Sequence, residues 1–328
     1  MRLTGALSCS AAIVLAVAAC DAGAPGGTAS PSSDATAPSA STTPSADASA
    51  SPSTLPVDGT ERAGPDELVW AQEFDGPAGE GVDRDVWLID EGLEPVPEPT
   101  TAWSARPDNL ALTGDGALRL AAVEEEWTGP DGRSSQFTSA RIETVDAFRY
   151  GRIEARIRVD VGTGTLTAFW MLGRYEHAAE NWPLAGEIDI VEFMDGADAI
   201  HGTVHGGTRI DGHWQQGGTL EAEDVAGPGS TWAGGWHVYA VEWEPESIAF
   251  AVDGNEYYRI TPADLAEDQR WTFDEPEHIL LTLAVGEHWA STPDPADFPA
   301  EMLVDYIRVY GSEQHPRLEP SPSPSADG

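Results

Sequence analysis

The sequence contains no lysine, so its 17 basic residues are all arginines, and they stand against 56 acidic residues for a net charge of −39. Such a charge repels phosphate backbones as well as sulfated or carboxylated polysaccharides. We therefore expect no nucleic-acid partner, and a glycan substrate should be neutral. A solvated acidic surface that keeps an exported protein soluble accounts for most of the charge by itself, so the charge excludes partners without identifying one.

Cysteine is also scarce, and Cys9 and Cys20 are the two in the chain. Residues 1–19 carry an early Arg2 and then a small, apolar run, which is the layout of a secretory signal peptide. The run is too short to span a membrane. It ends Val17-Ala18-Ala19-Cys20, which resembles the lipobox of bacterial lipoproteins, in which the cysteine is lipidated and becomes the mature amino terminus.

This resemblance implies an exported lipoprotein that faces outward and touches the cell membrane only through a lipid on Cys20. The alternative is an ordinary signal peptide that happens to contain a cysteine, in which case the protein is secreted. Cys9 would leave with the signal peptide, so the mature chain could form no intrachain disulfide. The fold must then depend on its hydrophobic core.

Large apolar side chains are rare in two segments. Residues 20–65 are almost wholly Ala, Ser, Thr, Pro, Gly and Asp, and residues 312–328 contain a Pro-Ser repeat. Such compositions bury too little apolar surface to offset the entropy of ordering the chain, so we expect a disordered linker and a disordered tail. Residues 66–311 hold all 12 tryptophans and are long enough for one large domain with a substantial core.

Helical periodicity is scarce within this domain. Segments 117–121, 151–159 and 236–243 alternate apolar and polar residues, which predicts half-buried strands. Asp253-Gly254-Asn255 separates two such runs and predicts a hairpin. Many short strands without crossover helices indicate an all-β fold, with two antiparallel sheets packed face to face in a sandwich or jelly roll.

The segment Gly186-Glu187-Ile188-Asp189-Ile190-Val191-Glu192 concentrates three carboxylates. Glu187 and Asp189 are two residues apart and share one face of a strand, whereas Glu192 would face the other way by simple alternation. A β-bulge within Ile190-Val191 would bring Glu192 back to the shared face. We therefore predict a bulge there, with all three acids on one face.

With that bulge, the Cα atoms of Glu187 and Glu192 would be about 13 Å apart, a distance that two inclined side chains can largely close. A carboxyl separation of about 5 to 5.5 Å suits a retaining glycosidase. Three crowded carboxylates cannot all ionise freely, so one proton is retained and the pKa of the acid is raised toward neutrality. The alternatives are a solvent-facing acidic strand or an oxygen-ligand cation site, but nearby aromatic and imidazole side chains favour a sugar site.

Several ordered motifs resemble glycoside hydrolase family 16, and in particular its bacterial laminarinase-like members. They span nearly the whole domain: Val69-Trp70-Ala71-Gln72-Glu73-Phe74-Asp75-Gly76, Thr138-Ser139-Ala140-Arg141-Ile142, Tyr150-Gly151-Arg152-Ile153-Glu154-Ala155-Arg156, Gly186 to Glu192, Phe298-Pro299 and Val304-Asp305-Tyr306-Ile307-Arg308-Val309-Tyr310. The resemblance implies a β-jelly roll with an open substrate cleft on its concave face.

The resemblance also implies roles for individual residues. Glu187 matches the nucleophile, Glu192 the general acid/base, and Asp189 the residue that holds the nucleophile's geometry and charge. Trp182 matches a tryptophan at the sugar beside the cut. Three polar residues fall where the family lines its cleft, although each could equally be an ordinary hydrogen-bonding residue: Arg141, Asn109 and His205. Many relatives also bind a structural calcium ion, and the corresponding places here are Glu73, the backbone of Gly116 and Asp305, which could instead merely end strands.

Three stretches depart from the family pattern. Leu166 replaces a cleft tryptophan, Thr282 replaces an asparagine, and Trp103 to Asp108 replace an Asn-x-Glu cluster. In the family these positions bind sugars, so the sequence predicts the reaction type more closely than the exact glycan.

The sequence thus predicts a monomeric, retaining endo-β-glucanase that hydrolyses β-1,3 or mixed β-1,3/1,4 bonds in a neutral β-glucan and needs no cofactor for catalysis. The alternatives are a transglycosylase or a galactan-active enzyme of the same family, or a non-catalytic glycan-binding lipoprotein.

Overall fold

The computed structural model describes residues 64, 66–93, 100–173, 182–208, 212–286 and 290–315. The signal peptide, Cys20 and nearly all of the predicted linker lie outside these residues and stay predictions. Within the described part, no helix has the length and apolar character that crossing a membrane requires.

Strands dominate the described residues. In chain order they are β1 (Leu68–Gln72), β2 (Trp87–Ile89), β3 (Gly92–Leu93), β4 (Thr101–Trp103), β5 (Leu110–Leu112), β6 (Leu118–Thr128), β7 (Ser134–Ser139), β8 (Arg141–Arg149), β9 (Gly151–Asp160), β10 (Thr165–Gly173), β11 (Glu187–Met194), β12 (Ala199–Thr208), β13 (Gly212–Glu221), β14 (His237–Glu244), β15 (Ser247–Val252), β16 (Asn255–Ile260), β17 (Glu277–Val285), β18 (Ala300–Tyr310) and β19 (Glu313–His315). One short helix, α1 (Ala222–Ala226), and two 3-10 turns, Pro262–Asp264 and Pro295–Asp297, complete the elements of this part of the chain.

The strands form two sheets. The first runs β16-β15-β14-β9-β18-β6-β7-β4-β3, with β1 beside β18 and β5 beside β6, and the second runs β13-β12-β11-β10-β17-β8-β19, with β2 beside β8. The β4–β7 pair is parallel, and the other described pairs are antiparallel. The prediction of an all-β sandwich of two sheets is confirmed.

Period-two alternation explains the core. Along β9, every second residue from Ile153 to Val159 is buried and belongs to one large apolar cluster between the sheets. In the same cluster Phe193 of the second sheet packs edge-on against Tyr239 of the first, with ring centroids 5.6 Å apart. This burial removes a large apolar surface from water and stabilises the domain.

The predicted hairpin is confirmed. β15 and β16 pair through a turn in which Asp253 and Gly254 both have positive φ, as a two-residue type I′ connection requires. The tail predicted from Ser312 onward is wrong at its start. Ser312 is buried, and β19 pairs with β8, where Arg149 forms an ion pair with Glu313.

Candidate active site

A bulge in β11 places the three carboxylates together. In the ladder with β12, Asp189 lies opposite Thr203 and Glu192 lies opposite His201, so three steps on β11 match two on β12. The ladder with β10 skips Ile190. The predicted bulge is therefore confirmed. Ile188, Ile190 and Val191 are all buried in the core, while the three acids share the other face of the sheet.

Burial controls the protonation of these acids. Glu187, Asp189 and Glu192 expose 0%, 1% and 3% of their surface, so the solvent-facing alternative is wrong. Burial, and next the negative charge of Asp189, raises the pKa of Glu187 to about 8. The same two causes raise the pKa of Glu192 to about 8, and burial raises the pKa of Asp189 well above its usual range. The group therefore retains protons near neutral pH, as a general acid must.

The two glutamates have different hydrogen-bond partners. The indole Nε1 of Trp182 donates to Oε2 of Glu187 at 3.0 Å, whereas the hydroxyl of Thr203 lies 3.4 Å from Oε2 of Glu192. A donor at 3.0 Å stabilises the ionised form of Glu187. This asymmetry suits a carboxylate nucleophile at Glu187 and a proton-carrying group at Glu192.

His205 lies against the acids rather than on an open surface. It is 1% exposed and lies directly opposite Glu187 in the β11–β12 ladder. Its Nε2 is 3.2 Å from Oδ2 of Asp189 and 3.9 Å from Oε1 of Glu187. Its Nδ1 is 2.9 Å from Nε2 of His213, whose ring packs against Trp182 with centroids 4.5 Å apart. The structure thus brings His205 to the predicted site but buries it as a neighbour of the acids.

Arg141 also reaches the catalytic face. Its guanidinium lies over the ring of Trp170, 5.2 Å from the centroid, and Trp170 pairs across the strands with Asp189. The Nε1 of Trp170 donates to Oγ1 of Thr282 at 2.9 Å. The polar surface around the acids therefore extends across β10 and β17 to β8.

The prediction for Asn109 is wrong. The residue is fully buried, and its Nδ2 donates to the carbonyl of Ala121 at 3.1 Å and to the hydroxyl of Thr138 at 3.0 Å. Its Oδ1 accepts from Arg106. These partners belong to the first sheet and its adjoining loop, so Asn109 stabilises that sheet and presents no group to a sugar.

Two of the residues predicted to bind calcium, Glu73 and Asp305, are paired with arginines. Both carboxylate oxygens of Glu73 accept from Arg308, at 2.8 and 2.9 Å, and Oδ2 of Asp305 accepts from Arg156 at 2.6 Å. A guanidinium beside each carboxylate opposes a dication there. The Glu73 and Asp305 side chains therefore do not support a calcium ion as they stand, and calcium binding, with the backbone of Gly116 as its third ligand, stays a prediction.

Sequence reasoning missed two ionisable groups near the acids. His213 lies near the acids because β13 pairs with β12, and the sequence does not specify the register of that pairing. Glu277, at the start of β17, is fully buried, and burial together with Glu187 and Asp189 raises its pKa well above the usual range. Glu277 follows Asp274 and Glu275 in the sequence and precedes His278, so no sequence signal singled it out.

Comparisons with known proteins agree with this geometry. The model of the family described as Glycosyl hydrolases family 16 matches residues 99–308. A "Beta-glucanase" of Rhodothermus marinus is 37% identical over 274 residues, covering 79% of this chain and 90% of the relative. A "Glucan endo-1,3-beta-glucosidase A1" of Niallia circulans is 30% identical over 268 residues, covering 74% of this chain but 37% of that longer protein.

Solved structures show the same fold. The catalytic domain of an endo-1,3-beta-glucanase (laminarinase) from Thermotoga petrophila RKU-1 superposes with a TM-score of 0.65 at 29% identity, over 74% of this chain and 97% of that one. The laminarinase from Rhodothermus marinus gives a TM-score of 0.63 at 37% identity, over 74% and 96% of the two chains.

Proposed function

This chain belongs to glycosyl hydrolase family 16, and on that premise we propose that it is a retaining endo-β-glucanase. It hydrolyses β-1,3 or mixed β-1,3/1,4 glucosidic bonds of a neutral β-glucan by double displacement. The observation that carries the proposal is the bulged strand β11, which presents Glu187, Asp189 and Glu192 on one buried face. Relatives named for β-glucanase, endo-1,3-β-glucosidase and endo-1,3-1,4-β-glycanase activity support the substrate class.

In the first displacement, the carboxylate of Glu187 attacks the anomeric carbon while the carboxylic acid of Glu192 protonates the departing glycosidic oxygen. The bond to the leaving sugar breaks as an ester to Glu187 forms. In the second, the Glu192 carboxylate takes a proton from water, the water oxygen attacks the same carbon, and Glu187 is released. Trp182 favours the anionic form of Glu187 at both ends of the cycle, and the adjacent Asp189 opposes it through its charge.

Replacing Glu187 with glutamine tests the assignment. Glu187→Gln should abolish turnover of a soluble β-1,3-glucan while binding of the glucan stays measurable, because the amide keeps the shape but cannot attack. Glu256→Gln is the matched control, since Glu256 is an exposed residue of the first sheet and its loss should not affect turnover. Parent-like activity in Glu187→Gln would remove Glu187 from the mechanism.

Products identify the reaction more finely. Proton NMR of the early reaction should show the β-anomer first, because two displacements retain configuration. Incubation with curdlan-type, mixed-linkage, galactan and xyloglucan substrates separates the linkages, and lengthened oligosaccharides would indicate transglycosylation. Early α-anomer would contradict the retaining mechanism.

We also propose that the enzyme is exported and attached to the cell membrane through a lipid on Cys20. Residues 11–19 and the sequence Val17-Ala18-Ala19-Cys20 support this. The Ala, Ser, Thr and Pro-rich segment that follows would then separate the catalytic domain from the anchor.

A further inference from the structure

A buried cluster of nitrogen and oxygen ligand atoms lies within the catalytic strands. Glu187, Asp189 and His205 each contribute one such atom, and these atoms lie within 4.8 Å of one another. All three side chains are at least 98% buried. Oε1 of Glu187 and Oδ2 of Asp189 accept no hydrogen bond, yet both lie near Nε2 of His205. Buried carboxyl oxygens without partners are costly, and a cation that displaced the protons held by these acids would supply a partner to both.

The distance between the His205 and Asp189 atoms matches that between two ligands of a tetrahedral ion, and the distance between the His205 and Glu187 atoms is wider. Bonds of about 2.0 to 2.1 Å to nitrogen and oxygen separate neighbouring ligand atoms by about 3.3 Å. The distances from Nε2 of His205 are 3.2 Å to Asp189 and 3.9 Å to Glu187. An imidazole ligand favours zinc over magnesium and calcium, which take oxygen ligands.

The outer contacts are those that orient metal ligands. Nδ1 of His205 is paired with Nε2 of His213 at 2.9 Å, which leaves Nε2 of His205 directed at the acids. Trp182 holds the other oxygen of Glu187, Oε2, at 3.0 Å. Metal-binding imidazoles and carboxylates are usually held by such second partners, which contribute to affinity.

We propose that Glu187, Asp189 and His205 form a zinc site whose occupation reversibly inhibits the enzyme. Zinc bound to Oε1 of Glu187 would occupy the carboxylate that attacks the sugar and would repel the positive charge that develops on the anomeric carbon. A water molecule would complete the coordination. The inhibition rests on the proposed function, whereas the binding of zinc does not.

Calorimetry on the full-length protein tests the binding. The chelator-treated protein is titrated with zinc chloride and, separately, with magnesium chloride, and circular dichroism verifies that each variant is folded. We expect saturable binding of one zinc and none of magnesium. His205→Gln should abolish zinc binding, and His213→Phe should weaken it by about 10- to 100-fold. His201→Gln is the matched control, because it removes an imidazole from the same strand that contacts Thr219 instead.

Anomalous diffraction at the zinc edge provides a second measurement that needs no variant. A peak bounded by Glu187, Asp189 and His205 supports the proposal, and zinc bound only elsewhere overturns it. Equal affinity in the parent and His205→Gln also overturns it.

The activity measurement separates the two proposals. Zinc should inhibit cleavage of a soluble β-1,3-glucan over the concentration range in which calorimetry shows binding, and EDTA should restore it. A parent enzyme that cuts glucan but neither binds zinc nor is inhibited refutes the zinc site alone. A parent that binds zinc here but cuts no glucan refutes the proposed function alone.

Discussion

Replacing Trp182 with phenylalanine tests whether its hydrogen bond favours the ionised form of Glu187. The change removes the indole N–H that donates to Oε2 of Glu187 at 3.0 Å but keeps an aromatic ring to pack against His213 and a sugar. A hydrogen bond to a charged group contributes about 1.5 to 3 kcal/mol. Since about 1.4 kcal/mol corresponds to tenfold in rate, kcat/KM measured on its acidic limb should fall about 10- to 150-fold.

The pH dependence separates this effect from lost sugar contacts. The hydrogen bond lowers the pKa of Glu187 against the burial that raises it. Its removal therefore raises the pKa further, and because the nucleophile reacts as a carboxylate, the acidic limb of the kcat/KM profile should move to higher pH. A variant that only contacts sugar less well would keep the position of that limb.

The assay is initial-rate hydrolysis of a soluble β-1,3-glucan across the pH range in which the enzyme stays folded. Trp214→Phe is the matched control, because the buried Nε1 of Trp214 on neighbouring β13 has no hydrogen-bond partner. An unshifted acidic limb in Trp182→Phe, or an equal shift in Trp214→Phe, would refute the reasoning.

Three further predictions concern stability and location. Glu277→Gln should raise the Tm, and the increase should grow as the pH rises from about 5 to 8. Because burial raises the pKa of Glu277, the folded state keeps a proton that the unfolded chain releases, and the stability of the parent falls as the pH rises. A difference in Tm that does not depend on pH would contradict this. EGTA should leave the Tm unchanged, because arginines accompany Glu73 and Asp305; a lower Tm would indicate bound calcium. Cys20→Ala should move the protein from the membrane fraction to the medium, and an unchanged distribution would exclude the lipid anchor.

The fold and the catalytic strand were predictable because both depend on local periodicity. Alternation with period two identifies strands such as β9, and parity alone requires an extra residue between Asp189 and Glu192. The roles of the cleft residues were less predictable. Asn109 follows the family pattern, yet it is buried. Its side chain bonds to Arg106 and to Thr138, and Thr138 is 29 residues away in sequence.

Packing brings together two of the positions that depart from the family pattern. Trp103 of β4 and Leu166 of β10 are far apart in sequence, but they pack together with Ala284 and Met194 in a small apolar cluster. Met194 is two residues beyond Glu192 on the same strand. Two of the altered positions, Trp103 and Leu166, therefore belong to one buried cluster close to Glu192.

The order of residues along the chain by itself determined the strand content, the family and the three acids, because these follow from spacing within one segment. Tertiary structure alone decided that burial is the main cause of the raised pKa values of those acids, that His205 and His213 approach one another, and that Glu277 is buried. These properties depend on desolvation and on contacts across strands. Burial and cross-strand register are set by the packing of the whole sandwich, so no short stretch of sequence contains them.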